Sequence, residues 1–181
     1  MIIGIAGTLG AGKGTVVEYL KSKGFAHYSS SDTLRHILAE RSLPIDREHM
    51  SALANELSND QEGGVLQDSH RLSQTNKHKD SILEALHRVS EGEYITKIGG
   101  TILGVDADIR VRFDRVKTRG DSAKDNVTFE QFVADSDRED EGKTGSGPNI
   151  RAVLNMADHT IHNDGTIEEL HAKVEVWLQT L

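Results

Sequence analysis

Fourteen residues near the start of the chain, IIGIAGTLGAGKGT from Ile2 to Thr15, leave few folds open. Ile2, Ile3, Ile5 and Ala6 form a short apolar, β-branched run that Gly7 ends, the pattern of a strand buried on both faces. A glycine-rich turn follows at once. Gly7, Gly10 and Gly12 permit dihedrals that a Cβ forbids, so successive N–H groups of Thr8, Leu9, Ala11 and Gly14 can converge on a polyanion. Lys13 adds a cation, and VVEYLKSK has helical spacing with Val16, Val17 and Leu20 on one face. The turn therefore opens onto a helix N-terminus whose dipole favours phosphate. Strand, loop and helix in this order predict a phosphate-binding loop of the form G-x-x-x-x-G-K. The strict form places Ser or Thr directly after the lysine, whereas here Gly14 precedes Thr15.

A chain of 181 residues is long enough to bury a core without covalent staples. It has no cysteine, which excludes disulfides, thiolate metal sites and thiol nucleophiles and suits a reducing cytoplasmic location. Its first apolar run is short, lacks a basic flank and is used by the loop, so neither a signal peptide nor a membrane span is expected. A formal net charge of -8 argues against a nucleic-acid coat. An anionic small molecule must then be met by locally concentrated cations. None of the nine histidines pairs with a carboxylate at a metal-ligand spacing, so no zinc site is expected. Either a monomer or a homodimer is compatible with these features.

Strands and helices alternate through the rest of the chain. Strands are expected at Phe25–Tyr28, Ser81–Leu86, Thr101–Asp106 and His159–His162. Helices are expected from Thr33 towards Pro44, from Arg47 to Leu57 behind an Asp46 cap, and more weakly around Val65–Leu72. Further helices should run over Glu91–Ile98, Ile109–Arg119, behind Thr128, over Asn149–Ala157 and after Thr166. Ser29, Ser30 and Ser31 read as a polar turn. The alternation predicts a three-layer α/β/α domain with a five-stranded, mainly parallel sheet. Positive charge gathers at Arg110, Arg112, Arg115, Lys117, Arg119 and Lys124, and Arg112, Arg115 and Arg119 can share one helical face. EGKTGSGPN at 141–149 holds three glycines and a proline, so residues 120–149 read as a lid.

The GKGT ending resembles the nucleoside monophosphate kinases, adenylate kinase among them, in which glycine stands where other P-loop proteins carry a magnesium-binding hydroxyl. The resemblance leaves Thr15 as the phosphate or metal-water contact. SSDTLR resembles the start of their acceptor site, with Asp32 and Arg35 at the matching places. It equally resembles dephospho-coenzyme A kinase, where that aspartate acts as base on a hydroxyl. EALHRVSEGEYI resembles an E-S-[IL]-R-x-x-x-E segment of dephospho-coenzyme A kinase-like P-loop proteins. Glu84 then matches an acid orienting metal-bound water, and the family arginine falls on His87 with Arg88 beside it. The change matters because imidazole cannot reproduce a guanidinium fork. RxxxRG resembles the lid-flanking segment, with Arg115 and Arg119. AD-x-x-I-x-N-x-G-x-x-x-E-L resembles the turn that approaches adenine, with Asn163 and Gly165.

This resemblance to the P-loop nucleotide kinase superfamily implies an ATP-dependent phosphotransferase using Mg²⁺. Its core would be 1–31, 81–119 and 150–181, with an acceptor-binding insertion at about 32–80 and the lid at 120–149. Gly7 to Thr15, Arg115, Asn163 and Gly165 would hold the nucleotide; Thr15 and Glu84 would serve the metal. Arg115, Arg119 and Arg138 would close on the transferred group, and Asp32, Arg35, His87 and Arg88 would place the acceptor. A nucleoside monophosphate is the simplest acceptor. A hydroxyl acceptor with Asp32 as base, and an ATP-driven switch with a degenerate acceptor site, are the alternatives.

Overall fold

The computed structural model describes residues 1–60, 62–119, 127–141 and 148–181. In chain order the elements are β1 (Ile2–Gly7), α1 (Lys13–Ser22), β2 (Ala26–Ser29), α2 (Ser30–Glu40), α3 (Arg47–Asp60), α4 (Val65–Thr75) and β3 (Ser81–Leu86). There follow α5 (Val89–Lys97), β4 (Thr101–Asp106), α6 (Ile109–Arg119), α7 (Phe129–Glu141), α8 (Ile150–Asn155), β5 (His159–His162) and α9 (Ile167–Leu178). The five strands form one parallel sheet in the order β2-β3-β1-β4-β5.

The two-residue period of a strand explains the layers. Ile3 and Ile5 of β1 join Ile82, Leu103 and Val105 on the face covered by α1 and α9 through Val16, Val17, Leu20, Leu170, Val174 and Trp177. Ala6, Leu83 and Ile102 point to the other face, where Leu66, Ile95, Val153 and Leu154 cover them. A smaller cluster of Leu34, Leu38, Leu53, Leu57 and Val65 holds α2, α3 and α4 together. Each such side chain removed from water contributes roughly 1.5–3 kcal/mol before entropy is charged against it.

Element boundaries differ from the sequence reading in two instructive places. Ser30 and Ser31 lie inside α2 because Ser29 is the cap, its Oγ accepting from the Asp32 amide at 3.0 Å. The helix thus starts at the strand's end, without a turn. Helix α5 starts at Val89, since the Glu91 carboxylate takes the backbone N–H groups of His87 and Arg88 at 2.7 and 3.0 Å. The ends of the expected lid, 120–126 and 142–147, lie outside the described residues.

Candidate active site

β1 lies between β3 and β4, so the loop after it meets the carboxyl ends of both neighbours. Ligands of open parallel sheets bind there. Gly10 and Gly12 carry φ values of +80° and +103°. A Cβ on Gly12 would stand 2.5 Å from the Asn163 amide nitrogen, and one on Gly10 2.7 Å from the Arg112 carbonyl oxygen. Both glycines therefore answer to conformation and to a close neighbour. Gly14 has open space around it, so the departure from the strict motif has no steric cause.

The loop is pinned from three sides. Asn163, buried in the β5–α9 turn, donates to the Ala11 carbonyl at 2.8 Å. Thr8 Oγ1 donates to Asp106 Oδ1 at 2.7 Å. Arg112, 3 % exposed, reaches the Leu9 carbonyl of the loop at 3.5 Å and also donates to the Ala107 carbonyl at 3.1 Å and the Ser136 hydroxyl at 2.9 Å. Arg112 thus fastens α6 to α7 and does not stand on an open face with Arg115 and Arg119. The last two line a cleft of about 490 Å³ together with Thr8 to Gly10, Gly12 to Thr15, Glu84 and Val116. Arg115 also donates to the carbonyls of Asn163 and Gly165 at 2.8 and 3.1 Å, so it reaches the turn.

Lys13 folds back, donating to the carbonyls of Gly7 and Thr8 at 2.8 and 3.1 Å. Burial pulls its ammonium below the usual lysine range, opposed by the carboxylates of Glu84, Glu139 and Asp106. A polyphosphate in the cleft would restore the favour for charge. Glu84 is held below the ordinary glutamate range, first by its hydrogen bond from His27. The Thr15 hydroxyl and the Glu84 carboxylate are hard oxygen donors of the kind Mg²⁺ accepts when phosphates complete its sphere. Among the described residues no three His, Cys, Asp or Glu side chains form a metal cage. The donor set fits an ion carried by a nucleotide.

A second cleft, about 330 Å³, is lined by Ser30, Ser31, Leu34, Ala54, Ser58 and Val65 on one side and His87, Arg88, Glu91, Glu139, Pro148 and Ile150 on the other. Arg88 donates to Ser58 Oγ, and to Asn55 Oδ1 at 3.2 Å. Among the described residues its guanidinium donates to neutral oxygens, while the Glu91 carboxylate of the same cleft acts on it electrostatically. Among the described residues the buried Ser30 hydroxyl has no hydrogen-bond partner. Both clefts exclude three residues expected in the acceptor and lid machinery. Asp32, with its side chain 72 % exposed, takes Ser29 Oγ and Arg35 Nη1, each at 2.7–2.8 Å. Arg138 pairs with Asp135 at 2.8 Å along α7, and its neighbour Glu139 faces the cleft instead.

Sequence reading missed Asp106 and Arg151, whose Nη1 donates to Asp106 Oδ2 at 3.2 Å. An acid closing a buried strand beside the loop strand was the available signal for Asp106. No periodicity marks Arg151, because its partner lies 45 residues away.

Comparison with known proteins now adds to this geometry. Residues 3–143 match the family model described as the AAA domain. The chain belongs to the AAA domain family. This AAA domain is 26 % identical over its whole length to a UPF0200 protein of Hyperthermus butylicus, spanning 95 % of that protein. It is 28 % identical, again over its whole length and 95 % of the relative, to a UPF0200 protein of Thermococcus gammatolerans. Among solved structures it resembles a shikimate kinase from Bacteroides thetaiotaomicron, with a TM-score of 0.63, 12 % identity and coverage of 99 % and 98 % of the two chains. A dephospho-CoA kinase from Campylobacter jejuni gives a TM-score of 0.57, 16 % identity and coverage of 99 % and 97 %. The fold is thus the one these two kinases share. Among the described residues no helix is long and apolar enough to cross a membrane.

Proposed function

We propose that this AAA domain is an ATP-dependent phosphotransferase whose acceptor is a small anionic, nucleotide-like molecule, most simply a nucleoside monophosphate. The observation that carries the reading is the pair of clefts. One is built around a phosphate-binding loop; the other presents the Arg88 guanidinium, whose hydrogen bonds among the described residues go to Ser58, Asn55 and the Ala54 carbonyl, in the field of the Glu91 carboxylate. Glu139, on the wall of the second cleft, acts electrostatically on Lys13 in the first.

In this reading the loop N–H groups and Lys13 hold the β and γ phosphates, and the helix α1 dipole adds to their pull. Arg115 and Arg119 neutralise charge spread over the transferred group, which is the main demand of phosphoryl transfer. Mg²⁺ supplies further neutralisation when the nucleotide brings it, with Thr15 and Glu84 as its protein-side oxygens. The acceptor attacks phosphorus directly, so no protein nucleophile is required. A monophosphate acceptor needs cations more than a base, and Arg88 meets that need, with the His87 ring in the same cleft. The hydroxyl-acceptor reading with Asp32 as base has less support, because that carboxylate is exposed and already holds Ser29 and Arg35. Residues 32–80 serve as the acceptor-binding insertion and 120–149 as the lid.

The test is ADP release from Mg-ATP across nucleoside monophosphates, deoxynucleoside monophosphates, shikimate and dephospho-coenzyme A, with Lys13→Ala as blank. Stimulation by one acceptor, lost in the blank, is expected. Arg88→Ala should then raise that acceptor's KM roughly 10- to 100-fold, the worth of a charge-assisted contact, and leave the KM for ATP unchanged. Turnover that no acceptor accelerates would overturn the reading.

A further inference from the structure

Two carboxylates, Asp106 at the end of β4 and Glu84 two residues before the end of β3, flank β1, and they are committed differently. Asp106 uses both oxygens: Oδ1 takes the Thr8 hydroxyl at 2.7 Å and the Ala107 amide at 2.9 Å, and Oδ2 takes Arg151 at 3.2 Å. Glu84 uses one. Its Oε2 meets His27 Nε2 at 2.9 Å, whereas Oε1 has no hydrogen bond among the described residues. Glu84 also lines the donor cleft with Lys13 and Thr15.

His27 comes from β2, one strand further out, and nothing in its surrounding sequence marks it. The register places it opposite Ile82, and residues two apart along β3 share a face, so His27 and Glu84 point to the same side of the sheet. Both side chains are about four-fifths covered, at 21 % and 20 % exposure. A free glutamate would lose rotamer freedom on adopting one orientation at a metal. A ring nitrogen already holding Oε2 removes part of that cost before the ligand arrives. The same arrangement leaves Oε1 as the available oxygen. Second-side hydrogen bonding of this kind sets how well a carboxylate serves an ion or its waters.

We infer that His27 is a positioning residue for Glu84, presetting that carboxylate for the magnesium-nucleotide complex. The inference rests on the nucleotide-binding reading above. A purely structural pairing of β2 with β3 would stabilise the sheet edge equally well with or without a ligand, and the two roles separate by experiment.

ATP affinity is measured by titration calorimetry, with Mg²⁺ and with EDTA, for the full chain and for His27→Ala, His27→Gln, Glu84→Gln and the His27→Ala/Glu84→Gln double variant. Thermal unfolding is followed in parallel. Positioning predicts that His27→Ala reduces the Mg²⁺-dependent gain in affinity about five- to tenfold and changes metal-free affinity less than about twofold. Glutamine, which can still donate to Oε2, should restore the gain to within about threefold of the natural chain. The double variant should be no weaker than Glu84→Gln alone, because both changes act through one group. Equal losses with and without Mg²⁺, no rescue by glutamine, or additive losses in the double variant would overturn the role of His27 while leaving nucleotide binding intact. A natural chain that binds no ATP overturns the nucleotide reading itself, and this inference with it.

Discussion

The proposed donor side of the molecule and the proposed acceptor side are held by different kinds of contact. Around the phosphate-binding loop, short buried side chains grip main-chain atoms from distant segments, as Asn163 grips Ala11 across 152 residues at 2.8 Å. Around α2, α3 and α4, many polar contacts are exposed pairs such as Arg41–Glu56, with side chains 42 % and 46 % exposed. Their apolar support is mainly the small cluster of Leu34, Leu38, Leu53, Leu57 and Val65, with Leu66 of α4 the tie to the cluster on one sheet face. Exposed pairs add little, about 0–1 kcal/mol each. The acceptor helices should therefore open locally at lower free energy than the sheet, as ligand-clasping elements do.

The largest expected effect tests that separation directly. Leu53, 3 % exposed, is central to the small cluster, and Leu53→Ala should cost about 2–5 kcal/mol. Hydrogen exchange should rise in α2, α3 and α4 while ATP affinity, measured by calorimetry, stays within about twofold. If ATP binding weakens in step with exchange, the two sides form one cooperative unit and the contrast fails.

On the donor side, Gly12→Ala meets both a left-handed φ of +103° and the Asn163 amide at 2.5 Å. Strain of about 1–2 kcal/mol plus a disturbed Asn163 hydrogen bond predicts a loss of about 2–4 kcal/mol in denaturant unfolding. Gly14→Ala is the control: with open space and no positive φ, it should be neutral or stabilise by up to about 1 kcal/mol. A similar loss at both positions would mean that the loop tolerates no side chain for reasons other than its packing.

These contrasts explain what could be read in advance. The sheet, its order of elements and the donor loop were legible because each depends on local pattern: apolar runs, glycine punctuation and a lysine at fixed spacing. Arg112 and Arg115 share a helix and a residue type, yet one is buried against Ser136 and the other lines the cleft. Periodicity places both on a side of α6 but cannot say which end is covered by α7. The acceptor side was less legible for the same reason. Ser30, Glu91 and Glu139 reach one cleft from three separate elements, and no spacing in the chain encodes that meeting.

The junction between the sides depends on Glu91, 4 % exposed, whose carboxylate holds the N–H groups of His87 and Arg88. Glu91→Ala leaves those donors unsatisfied and should cost about 1–3 kcal/mol. Glu91→Gln retains an acceptor oxygen and should do better. Burial raises the Glu91 carboxyl above the ordinary glutamate value of about 4.3, so the folded chain binds its proton more readily than the unfolded one. That contribution to stability is present below the unfolded value and is lost as pH rises through the folded value. The glutamine variant lacks it, so its stability relative to the natural chain should improve from pH 4 to pH 7 in paired unfolding curves. A difference that is flat or opposite in sign would show that the two N–H bonds outweigh burial and lower the carboxyl.

The smallest expected effect bears on two acceptor-site residues that the sequence singled out. Asp32 and Arg35 are exposed and paired with each other at 2.8 Å, and the Ser29 hydroxyl leads in holding the carboxyl below its usual range. An (i, i+3) pair of this exposure contributes only about 0.3–0.5 kcal/mol, so Asp32→Asn should barely move the unfolding midpoint. It should also leave acceptor-stimulated ADP release within about threefold, because the side chain lines neither cleft. Base catalysis makes the opposite demand, since loss of a general base removes on the order of 100-fold or more from turnover. A drop of that size, with stability unchanged, would mean that α2 turns its first turn into the cleft when the acceptor binds. Asp32 would then work from a position that the open arrangement of α2 does not display, and the acceptor would be a hydroxyl in place of a phosphate.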